Sequence, residues 1–147
     1  MDARENLVID LAKNPNESLD KVLDQVTDAL KKKFSHYTGV YMYLLDGDTL
    51  VLKCYRGRPT EHTRIPIGAG ICGRAARIKS TVTVDDVNAD VEYIACSLET
   101  RSEIVVPMMR GDQVLGEIDI DSDVASAFTP EDRKFLEQVA RLLANRF

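Results

Sequence analysis

The sequence predicts an α+β domain: an antiparallel sheet built largely from two β-hairpins, with helices towards both ends of the chain. Three observations carry this. Apolar residues recur at helical spacing near each end, alternating apolar segments lie between them, and two pairs of those segments fold back on glycine-bearing turns. The 147 residues, 44% hydrophobic and 29% charged, suffice for one core of ordinary size, so residues 1–147 are expected to form a single domain.

Taken in order, NESLDKVLDQVTDALKKKFSH places Leu19, Val22, Leu23, Val26, Leu30 and Phe34 on one helical stripe, with Asn16 or Ser18 as cap. Its run KKKF suits a solvated helix end, where lysines complement the helix dipole. GVYMYLL and TLVLKCY flank DGD, a turn in which Gly47 can take positive φ, and so read as a hairpin. In RIPIGAGICGRAARIKS a short extended piece ends at Pro66, and a helix follows the glycines to about Arg77 or Lys79. TVTVDDV reads as another short strand. SEIVVPMMRGDQVLGEIDIDS is a second hairpin turning at RGDQ, in which Pro107 requires a sheet edge or a bulge. The final helix has Thr129 as N-cap, Pro130 in its first turn and an apolar stripe from Phe135 to Leu143.

A net charge of −5 argues against general binding to nucleic acid or to an anionic membrane surface. The N-terminal stretch carries acids and no unbroken apolar run, so neither a signal peptide nor a membrane span is expected, and the protein is expected in the cytoplasm. Cys54, Cys72 and Cys96 then read as free or reactive thiols rather than a disulfide framework. No CxxC or Cys/His zinc spacing occurs.

The chemistry-bearing residues concentrate in the second hairpin. Asp119 and Asp121 are two apart on a strand, so they share a face at a separation of roughly 7 Å. Glu117 extends the row, and hairpin pairing brings Glu103 across from it. A solvent-facing strand is one reading; convergence is the other, and crowded carboxylates then need relief from a cation, a metal ion or a proton. No EF-hand spacing is present, and no bound metal is expected. Cys96 has polar neighbours, unusual for a cysteine acting as a small hydrophobe. Cys72, inside GICG, reads as a buried spacer, and Cys54 as structural or half-exposed. His36 and His62 are isolated. Tyr41 and Tyr43 share a strand face with Tyr37 in phase, so their rings could wall a pocket or fill a core.

GICGRAA, VDDVNADVEYIACSLETRSEIVVPM, LGEIDIDSD and AFTPED, in that order, resemble the GAF-domain enzymes known as free methionine-(R)-sulfoxide reductases. The likeness runs from about Tyr37 to Asp132. It implies a sheet of about six antiparallel strands flanked by the terminal helices, reduction of free methionine-(R)-sulfoxide, and a homodimer through those helices. By motif, Cys96 stands at the nucleophile, and Glu103, Asp119 and Asp121 at the acidic pocket; Tyr41 matches an aromatic pocket residue and Tyr37 stands where many members have tryptophan. The resemblance implies no cofactor beyond an external thiol or a thioredoxin-type reductant. The sequence departs from the family at His62, where members carry the cysteine that pairs with the oxidised nucleophile. Resolution of oxidised Cys96 would fall to Cys72, Cys54 or an external thiol. The competing expectation is a non-catalytic GAF module that binds a small metabolite, for which Cys96 and the acidic trio have no evident use.

Overall fold

Two tight turns set the sheet: Gly47 (φ +64°) and Gly111 (φ +59°) take the left-handed conformation that closes each hairpin. The computed structural model describes residues 2–13, 16–94 and 98–147. The chain order is α1 (Ala3–Lys13), α2 (Leu19–Lys33), β1 (Gly39–Asp46), β2 (Thr49–Arg56), β3 (Arg64–Pro66), α3 (Gly70–Ile78), β4 (Val82–Val84), β5 (Ser102–Arg110), β6 (Gln113–Ser122) and α4 (Pro130–Ala144). The strands form a six-stranded sheet in the order β3-β2-β1-β6-β5-β4, with antiparallel pairing throughout. The α+β expectation therefore holds, and α1 is an element that the sequence reading did not assign.

The sheet separates two cores. On one face α1, α2 and α4 bury Leu23, Leu30, Leu136 and Leu143 against Met42, Ile104, Ile118 and Ile120. Each such side chain contributes about 1.5–3 kcal/mol by leaving water. On the other face α3 packs Ile71, Cys72 and Ala75 near Tyr41, Tyr43, Leu50 and Val105. Pro107 is accommodated because β4 pairs only with residues 103–105 of β5, leaving that side of the strand unpaired at Pro107.

Asp132 locks the helix face. Thr129 and Asp132 form a reciprocal capping box at the start of α4. The same carboxylate accepts from the Tyr37 hydroxyl at 2.6 Å and from Arg4 at 3.0 Å, and faces His36 at 3.2 Å. Burial alone would raise its pKa, but these donors outweigh burial and lower it to about 2. Among the described residues no helix is long and apolar enough to cross a membrane.

Candidate active site

Alternation along β6 places Glu117, Asp119 and Asp121 on the face opposite the helical core. The register puts Asp121 across from Glu103 on β5 and Asp119 across from Tyr41 on β1. The solvent-facing reading of this row is wrong: Glu103, Asp119 and Asp121 are 5–6% exposed and Glu117 is 0% exposed. α3 covers them. Its Gly73 comes so close to the preceding segment that a Cβ there would lie 2.7 Å from the Ile67 carbonyl oxygen. That approach seats Cys72 at the acidic wall, where ligand atoms of Cys72, Glu103 and Asp119 lie within 4.8 Å of one another.

Both carboxylate oxygens of Glu117, and Oδ1 of Asp119 and of Asp121, are buried without a hydrogen-bond partner among the described residues. Burial, then the charge of Asp119, raises Glu117 well above the usual carboxylate range, opposed by the nearby Cys72 thiol. The same two causes raise Asp121, opposed by a hydrogen bond to Glu103 and by the Arg58 charge. Burial also raises Asp119, opposed by Glu103, Cys72 and the His62 charge. The Cys72 thiol is pushed up by burial and by the three surrounding carboxyls Asp119, Glu117 and Glu103. The wall thus holds protons at pH values where exposed carboxylates have lost theirs.

Between Tyr43, His62, Ile71, Cys72, Glu103 and Asp119 remains a cavity of about 20 Å³, room for a water molecule and little more. Ile94, two residues before Cys96 in the sequence, also lines it. The segment leading to Ile94 is tied to α3: Arg74 pairs with Asp90 at 2.6 Å and Glu92 at 3.2 Å, and Arg77 with Glu92 at 2.5 Å. Arg58 bridges Asp123 and Glu99, and its backbone carbonyl accepts the Tyr41 hydroxyl at 2.7 Å.

Of the residues the sequence singled out, Glu103, Asp119, Asp121, Cys72 and Tyr41 come together on one face of the sheet. Two do not. Tyr37 is a substrate-pocket expectation that the structure corrects: its ring packs with Phe34 and Phe128 in the helical core, its hydroxyl on Asp132. Cys54 is half-buried, as its strand position suggested. Its thiol meets Thr27 of α2 at 3.4 Å, and the sheet separates it from Cys72. Cys96 lies outside the described residues. Glu117, which extended the carboxylate row in the sequence, joins Asp119 and Asp121 through continued alternation in GEIDID, and Tyr43 and His62 line the cavity.

A family profile described as GAF domain matches residues 16–146. GAF domain-containing protein A of Dictyostelium discoideum is 40% identical over 124 residues, covering 84% of this chain and 77% of that protein. Free methionine-R-sulfoxide reductase of Escherichia coli (strain K12) is 41% identical over 101 residues, 69% of this chain and 61% of the reductase. The X-ray structure of the Neisseria meningitidis free methionine-R-sulfoxide reductase in complex with its substrate superposes with TM-score 0.89 at 35% identity, over 99% of this chain and 86% of that one. A six-stranded antiparallel sheet with helices packed on it and a profile match over nearly the whole chain agree, and the chain belongs to the GAF domain family.

Proposed function

We propose that this chain reduces free methionine-(R)-sulfoxide to methionine at the expense of thiols, with Cys96 as nucleophile. The observation that carries the reading is the buried acidic wall of Glu103, Asp119 and Asp121, in a chain similar to reductases of that name. The Cys96 sulfur attacks the sulfoxide sulfur while a protonated wall carboxyl hydrogen-bonds the sulfoxide oxygen, which needs a proton as its bond to sulfur breaks. Oxygen passes in net terms from methionine sulfur to Cys96, giving methionine and a cysteine sulfenic acid. Wall carboxylates that remain ionised hold the substrate ammonium, and Tyr41 offers an aromatic side for the methyl group. A second thiol then forms the disulfide with Cys96 and releases water, and an external thiol or thioredoxin-type protein restores both cysteines. Cys72, at the wall, is our choice of resolving thiol; Cys54 is set aside because its thiol faces α2.

The test compares free methionine sulfoxide with its N-acetylated form at equal concentration. The free form should react at least about a hundredfold faster, because an amide offers the carboxylates no charge; equal rates would remove the ammonium-binding role. In the same assay Cys72→Ser should release one equivalent of methionine per chain and leave a sulfenic acid that dimedone labels, whereas undiminished thioredoxin-linked turnover would exclude Cys72 as resolver.

A further inference from the structure

The acidic pocket offers a place to a second kind of ligand, in competition with the substrate. Cys72 Sγ and carboxylate oxygens of Glu103 and Asp119 all lie within 4.8 Å of one another. A tetrahedral zinc ion sets thiolate and carboxylate donors about 3.3–3.7 Å apart, a contraction that side-chain rotation can supply. Glu117 is 0% exposed on the same strand face, and among the described residues neither its two oxygens nor Oδ1 of Asp119, which lines the cavity, has a hydrogen-bond partner. These are buried acceptors waiting for a cation or a proton. The cavity that Cys72, Glu103 and Asp119 line, about 20 Å³, has room for one ion.

We propose that Cys72, Glu103 and Asp119, with Glu117 beside them, form a binding site for one thiophilic divalent cation, and that the occupied site excludes substrate. One sulfur and several carboxylate oxygens favour zinc or cadmium over magnesium and calcium, which require six or more oxygens and gain nothing from a thiol. On binding, the Cys72 thiol gives its proton to solvent and becomes the ligand thiolate. The binding claim stands without the reductase reading; the exclusion of substrate rests on it. Zinc then acts as a reversible off-switch, holding the carboxylates that would meet the ammonium together with the Cys72 thiol.

The experiment is calorimetric titration of the reduced protein with zinc, alongside cobalt as a spectroscopic probe. One zinc per chain should bind, a tenfold excess of magnesium or calcium should not displace it, and cobalt should show a sulfur-to-metal charge-transfer band. Cys72→Ser should lose that band and weaken zinc binding by about 100-fold or more, and Glu103→Gln, checked for folding by circular dichroism, should weaken it by at least tenfold. Cys54→Ser should change neither. Undiminished binding in Cys72→Ser, a band lost only in Cys96→Ser, or equal competition by calcium overturns the site. Because binding is read without turnover, a protein that binds zinc at these residues yet reduces no sulfoxide supports the site and removes the functional reading.

Discussion

Buried carboxylates lie on both sides of the sheet, and they are treated in opposite ways. Asp132, on the helix face, is fully buried and collects a hydroxyl, an arginine, a histidine and the Thr129 amide and hydroxyl. Glu117, Asp119 and Asp121, on the α3 face, are nearly as deeply buried and keep four oxygens without a partner among the described residues. Burial by itself raises all of these groups. Donors reverse the sign for Asp132, and their scarcity leaves the wall able to hold protons. Asp132 is spent on the fold, whereas the wall keeps its bonding capacity for something that arrives from outside.

The largest effect expected from this contrast is structural. Asp132→Ala should destabilise the protein by about 3–5 kcal/mol, because it strands a buried tyrosine hydroxyl and removes a helix cap; chemical denaturation measures it, and a loss below about 1 kcal/mol would remove the locking role. Asp121→Asn should do the reverse, lowering kcat/KM for free methionine sulfoxide by about 100-fold, or about 3 kcal/mol of transition-state stabilisation, with no loss of thermal stability. A matching fall in stability would make the wall structural after all.

The smallest effect is in the pH dependence. Asp132 has its pKa lowered to about 2, so its contribution is present above the unfolded value near 4 and is lost as pH falls towards 2. Glu117, Asp119 and Asp121 have raised folded values. Their protonated forms favour the native state below the unfolded pKa, and that contribution is lost as pH rises through the folded values. Glu117→Gln, neutral at every pH, should therefore flatten the alkaline loss of stability, so that its effect is more favourable at pH 8 than at pH 5. Parallel denaturation curves for the two proteins across that range would contradict the buried-acid assignment.

Most of the fold was legible in periodicity. The N-cap at Thr129 and the two hairpin turns follow from local chemistry and stand where it put them, and Pro107 takes the unpaired edge that was one of its two options. The wall was half legible: alternation grouped Glu117, Asp119 and Asp121 on one face, but which face α3 would cover depends on packing between distant segments. Tyr37 and Cys54 show where alternation stops being a guide. Tyr37 keeps the phase of Tyr41 but precedes β1, in the turn after α2, where its amide bonds back to the Phe34 carbonyl, so strand parity does not reach it. Cys54 keeps the phase of Leu50 and Leu52, yet the pairing shifts between Met42 and Tyr43, with Cys54 opposite Met42 and Leu52 opposite Tyr43. That bulge adds Lys53 to the strand and turns Cys54 to the helix face, an event with no mark in the sequence TLVLKCY.

The reading of the wall and of Cys96 as one reducing site is tested most directly by incubating the protein with racemic free methionine sulfoxide and dithiothreitol, and resolving the remaining epimers by chiral chromatography. The account predicts that the R epimer disappears with stoichiometric formation of methionine, that the S epimer remains, and that Cys96→Ser consumes neither. Consumption of both epimers at equal rates, or full activity in Cys96→Ser, would contradict it.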